Sequence, residues 1–144
     1  MASLLPNALR LCCPPPRVPS RCMLPSGPEA PAAARRFVVE LLAYQAPDLA
    51  EETREDVRLV VSELVTNSYR YGTEPGDSLL VEVVAAADVV LVEVHDPQRK
   101  RPQYKPESKE RQRGRGLFIL DALAARWDVD DRLFGKVVWA EVAR

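Results

Sequence analysis

Residues 78–96, SLLVEVVAAADVVLVEVHD, place the tightest limit on how this chain can fold. Two β-rich runs, SLLVEVVAA and DVVLVEVHD, flank a short turn around Ala86–Asp88. Apolar residues at every second position suit a pleated surface with one buried face, and so short a turn joins antiparallel neighbours. In the second run Val90, Val92, Val94 and Asp96 share one face, and Leu91, Glu93 and His95 share the other. The valine face is the one to bury, so Asp96 ends an apolar row. A carboxylate there is costly unless a donor meets it. Two readings stay open: Asp96 accepts from a ligand amine such as the exocyclic amine of a purine, or it caps the following turn, as strand-end aspartates commonly do. His95, the single histidine of the chain, falls on the opposite face, the position of a surface residue rather than of a catalyst or ligand.

Something must cover the valine face, and the preceding segments supply it. The stretch PEAPAAARRFVVELLAYQ reads as a helix with Pro31 near its start and Phe37, Leu41 and Tyr44 at helical spacing. After the connection APDLAEE, a second helix runs from about Glu51 to Tyr71, with Val57, Val60, Val61 and Leu64 as its apolar stripe and Gly72 as its stop. GTEPGD is turn chemistry. Upstream, VPSRCMLP reads as a short edge strand. Downstream, a polar segment broken by Pro97, Pro102 and Pro106 leads to a helix, LFILDALAARW, and a last strand, GKVVWAEVAR. This order predicts an α+β fold of two layers, with helices on one face of a mixed, mostly antiparallel sheet.

At 144 residues the chain makes one domain with a proper core, and 47% hydrophobic with 28% charged residues is the balance of a soluble globular protein. A net charge of −1 exerts no general pull towards nucleic acid or membranes. No apolar run approaches the roughly 18 residues of a membrane span. Eight of the 13 prolines precede residue 32, and residues 1–17 read as a disordered Pro/Cys-rich arm before a domain over 18–144. Cys12, Cys13 and Cys22 are an odd set with no second cluster to complete a metal site or disulfide framework. They are expected to lie outside the core, and a reducing cytoplasm fits them.

Three features could carry chemistry besides Asp96. In SELVTNSYRYG, Glu63 and Asn67 stand four residues apart, so they share a helix face beside Val60 and Leu64. That edge position suits a pocket wall as well as an ordinary solvated boundary. In GRGLFILDAL, Gly114 and Gly116 open a helix, where free N–H groups and close backbone approach favour an anion such as phosphate. The preceding loop carries Arg99, Lys100, Arg101, Lys105, Lys109, Arg111 and Arg113 against Glu107 and Glu110, a local excess of five positive charges. It reads as a lid over phosphates, as a solvated charge run, or as a nucleic-acid patch. With Tyr104 alone as an aromatic, it offers little for base stacking.

Taken in order, ELVTNSYRYG, a strand ending in HDP, GRGL opening a helix and GKVVWAEV on a last strand resemble the histidine-kinase-like ATPase superfamily, the Bergerat fold. Within it the chain resembles the small anti-sigma-factor serine kinases and their stand-alone actinobacterial relatives, over roughly residues 24–143. The resemblance implies ATP and Mg²⁺ as cofactors. It maps Asn67 to the magnesium-ligating asparagine and Glu63 to the carboxylate acting as general base. It maps Asp96 to the aspartate that takes the adenine amino group, and Gly114, Arg115 and Gly116 to the phosphate lid. The sequence departs from the family pattern at Tyr71, where a histidine is frequent, in PQRKRP, which lacks a glycine, and at Val137, where a hydroxyl residue often stands.

The resemblance further implies a cytoplasmic regulatory protein whose partners are a sigma factor, an antagonist protein bearing the acceptor serine, or both, with homodimerisation and no membrane partner. Two other readings compete with it. One is a non-catalytic partner-binding module in which nucleotide is structural or lost. The other is a nucleic-acid binder using the basic loop, which the near-neutral net charge opposes.

Overall fold

A computed structural model describes residues 20–97, 118–133 and 135–144. In it, five strands form one sheet in the order β1-β2-β3-β5-β4, and every neighbouring pair is antiparallel. The strands are β1 (Arg21–Pro25), β2 (Ser78–Ala85), β3 (Val89–Asp96), β4 (Arg126–Arg132) and β5 (Gly135–Ala143). Two helices, α1 (Ala30–Gln45) and α2 (Glu51–Tyr71), pack against each other and cover one face. This is the two-layer α+β arrangement that the hairpin pattern requires.

The β2–β3 hairpin pairs Ala85 with Val90 across the turn, closed by a 2.9 Å bond from the Ala86 N–H to the Val89 carbonyl. Its period of two decides what is buried. Leu79, Val81 and Val83 of β2, Val90, Val92 and Val94 of β3, and Val138, Ala140 and Val142 of β5 all turn towards the helices and are buried. From α2 they meet Val57, Val60, Val61, Leu64 and Val65; from α1 they meet Ala34, Val38, Leu41 and Leu42. The α2 stripe is the one its spacing predicts. The α1 stripe is rotated: Ala34 and Val38 fill the centre, Phe37 is half-buried, and Tyr44 is exposed. Alanines at 30 and 34 let α1 lie close to its neighbours, and the bulkier aromatics move to the margin.

Arg54 fixes the joint between the helices. Its Nε donates to the Leu49 carbonyl, and Nη2 donates to the carbonyls of Ala46 and Pro47, each at 3.0 Å. One guanidinium thereby ties together three carbonyls of the connection between α1 and α2. A second cross-link, Arg35 Nη1 to Ser62 Oγ at 2.7 Å, ties the helices along their length.

Two expectations are corrected. The helix predicted through Trp127 is helical over 118–123, and residues 126–132 form β4, an edge strand. RWDVDDR has acidic residues that disfavour a strand by propensity, yet β5 offers it a full ladder from Arg126↔Glu141 to Arg132↔Gly135. Exposed charged residues on an edge strand also discourage pairing with another chain. Cys22, expected outside the core, packs against it from β1, and burial pushes its thiol pKa up. Residues 1–17, the basic loop, and Gly114, Arg115 and Gly116 lie outside the described residues.

Candidate functional site

Asp96 continues the inward row of β3 past Val94, as the alternation predicts, and its side chain is wholly buried. The register sets it opposite Lys136 of β5, whose Nζ lies 3.8 Å from Asp96 Oδ2. That is ion-pair reach rather than a hydrogen bond. Lys136 keeps 21% of its side chain exposed, so it offsets part of the cost of burying the carboxylate while staying in contact with solvent.

The C-terminal end of α2 closes on the same carboxylate. A Cβ at Gly72 would stand 2.3 Å from Asp96 Oδ2 and 2.8 Å from its Cγ. Gly72 has φ −111°, which any residue adopts, so its glycine is required by the close approach and not by the helix stop. Its N–H donates to the carbonyl of buried Ser68 at 2.8 Å. Just beyond, Thr73 Oγ1 donates to the Tyr69 carbonyl at 3.0 Å and also meets Ser26 Oγ, which anchors the helix end to the segment after β1.

Glu63 and Asn67 are both half-buried on α2, beside the buried residues Val60, Leu64 and Ser68. They share one face, and Asn67 precedes Gly72 by five residues, roughly 7.5 Å of helical rise. Near Asp96 opens a cleft of about 320 Å³, lined by His95, Asp96, Arg132, Leu133, Gly135 and Lys136. Its size is at the lower end for small-ligand sites. Two cationic side chains and one buried carboxylate give it polar groups of both signs. The structure thus joins Asp96, Gly72 and Lys136 directly and sets Glu63 and Asn67 on the helix that leads to them.

The sequence profile of the histidine kinase-like ATPase domain matches residues 24–142, nearly the whole described domain. The chain belongs to the histidine kinase-like ATPase domain family. Among solved structures, the histidine kinase domain of the blue-light activated histidine kinase from Erythrobacter litoralis EL346 is similar at 18% identity and a TM-score of 0.49. The similarity covers 78% of this chain and 60% of that one, so the chain spans less than two thirds of its length. No curated protein matches the chain.

In this histidine kinase-like ATPase domain two residues that meet Asp96 carry no local signal of that role in the sequence. Gly72 looked like a helix stop, and its contact with Asp96 has no local signal, because the two residues meet only when α2 packs on β3. Lys136 was visible only as part of the GK pair that begins β5. The register, Asp96↔Lys136, is what brings it to the carboxylate.

Proposed function

We propose that this domain binds Mg-ATP at the Asp96 end of the sheet and works as a regulatory protein of the anti-sigma-factor serine kinase type, transferring phosphate to a serine of an antagonist protein. The observation that carries the reading is the wholly buried Asp96 carboxylate, with Gly72 bare of side chain against it. A carboxylate kept out of water beside a ligand-sized cleft is an acceptor suited to an amine donor, and the adenine amino group is such a donor. When bound, Mg-ATP supplies the transferable phosphoryl group and a cation that spreads its charge.

The chain's own residues take the remaining roles. Asn67 offers an amide oxygen, the hard donor that Mg²⁺ prefers. Glu63, one turn earlier, is the base for the proton of the acceptor hydroxyl. Asp96 selects the base by accepting its amine, and Gly72 leaves the room for that carboxylate. Gly114, Arg115 and Gly116, with the basic loop, complete the reading as donors and cations for the phosphates.

A second reading is a partner-binding module in which nucleotide is not turned over. Lys136 favours it, because an internal cation within 3.8 Å gives Asp96 a partner without any ligand. Calorimetry with Mg-ATP, followed by transfer of labelled phosphate to candidate antagonist domains, separates the two. The kinase reading expects binding that Asn67→Ala and Asp96→Asn abolish, and transfer that Glu63→Gln removes while binding persists. Wild-type protein that binds no ATP at millimolar concentration would leave the module reading standing.

A further inference from the structure

We infer that Glu82, Glu93 and His95, on the sheet face away from the helices, form a site for a divalent first-row transition-metal ion. Each can offer one donor atom, and the three atoms lie within 4.8 Å of one another. Three donors around a zinc-sized ion, at ~2.0–2.2 Å each, stand about 3.3–3.8 Å from one another, so side-chain shifts of up to about an ångström complete the geometry.

The sheet dictates the arrangement. Glu82 of β2 and Glu93 of β3 are directly opposed in the ladder, and His95 follows Glu93 by two residues on the same face. Opposed like charges destabilise a β pair. Here both carboxylates are also withdrawn from water: side-chain exposure is 21% for Glu82, 23% for Glu93 and 18% for His95. The neighbours tighten the enclosure, since His95 lies between Leu80 and buried Val137, and Glu93 lies beside Trp139. The cation near Glu82 is Arg21, whose Nε stands 3.3 Å from Oε1 on a side chain left 67% exposed. The carboxylate of Glu93 has His95 Nε2 at 3.2 Å. Two opposed carboxylates and an imidazole in an apolar surround are an arrangement that a divalent cation neutralises and aligns.

The donor set narrows the ion. An imidazole nitrogen beside two carboxylate oxygens suits Zn²⁺, Fe²⁺ or Ni²⁺ better than Mg²⁺ or Ca²⁺, which take oxygen ligands. Three protein ligands leave coordination positions open to water or to a group from another molecule. Bound there, the ion would clamp β2 to β3 one residue before Asp96, on the opposite face. The inference does not rest on the nucleotide reading, which gives none of these ligands a role, although His95 also lines the cleft beside Asp96.

His95 is the only histidine in the chain, so its ring is a unique reporter in tag-free protein. Zn²⁺ is titrated without nucleotide while the ring proton and nitrogen signals are followed by NMR. The cysteine thiols, which also bind zinc, leave those signals where they are. The expected result is a saturable shift of the ring signals at one equivalent. Glu82→Gln and Glu93→Gln each weaken the affinity at least tenfold, and Glu141→Gln, on the same face outside the cluster, leaves it unchanged. Ring signals that stay in place at millimolar Zn²⁺ overturn the site. So does a titration that neither glutamine variant weakens, with circular dichroism establishing that both variants are folded.

Discussion

The two faces of the sheet handle carboxylates in opposite ways. On the helix-covered face, β2, β3 and β5 present valine, leucine and alanine, and Asp96 is the one buried carboxylate among the described residues. On the open face the same strands carry Glu82, Glu93, His95, Trp139 and Glu141. A carboxylate on the covered face is expensive, so Asp96 by itself marks a candidate. Carboxylates on the open face are ordinary, and only their pairing, Glu82 opposite Glu93 with His95 beside them, sets that cluster apart. Full burial makes a single residue informative; where burial is partial the arrangement has to be.

The largest effect expected from this contrast is at the covered face. Leu64→Ala, in the α2 stripe, should cost about 2–5 kcal/mol in urea unfolding, through lost burial and the cavity left behind. A cost under 1 kcal/mol would mean that the helices do not hold the valine face closed. Next comes the junction of α2 with β3. Gly72→Ala pushes a methyl into Asp96 and should cost roughly 1–3 kcal/mol as overpacking. In the Gly72→Ala/Asp96→Ala double variant the cost should shrink, since the colliding group is gone, and additive costs would show that the two residues do not touch.

On the open face the effects are smaller. Val84, exposed on β2, should tolerate alanine within about 0.5 kcal/mol by the same unfolding measurement, and a loss like that of Leu64 would reveal a covering layer there. Least costly of all is the ion pair at the β4 edge, where Arg126 sends Nε and Nη2 to the two Glu141 oxygens at 3.0 and 2.9 Å. Those hydrogen bonds hold the Glu141 carboxyl below its usual 4.5. A lowered folded-state pKa contributes stability that is present above the ordinary carboxylate range and is lost as pH falls through the lowered value. A carboxyl NMR titration should place Glu141 below 4.5, and Arg126→Gln should bring it back.

The remaining contrast lies along the chain. α2 and the β2–β3 hairpin match their sequence reading nearly residue for residue, because each carries a strong period, 3.6 in one and 2 in the other. The segment from residue 118 to 132 does not. Its alanines favour a helix, but Trp127 leaves the helix to join β4 and donates its Nε1–H to Asp121 Oδ1 at 2.9 Å. Leu120 stays in the core, so the helical turn survives, and Ala125 is already bonded to Glu141 of β5 through its N–H at 2.8 Å. No membrane-spanning candidate exists among the described helices.

By itself the sequence determined the layer order, the buried face of the strand that ends in Asp96, and the candidates Glu63, Asn67 and Asp96, because periodicity and unfavourable burial are properties of neighbouring residues. Tertiary structure decided everything that depends on register and on one element closing over another. It brought Lys136 and Gly72 to Asp96, made an edge strand of RWDVDDR, and gathered Glu82, Glu93 and His95 from two strands onto one patch. Glu82 meets Glu93 across 11 positions, Gly72 meets Asp96 across 24 and Asp96 meets Lys136 across 40, and no local pattern encodes a distance that only the folded sheet creates.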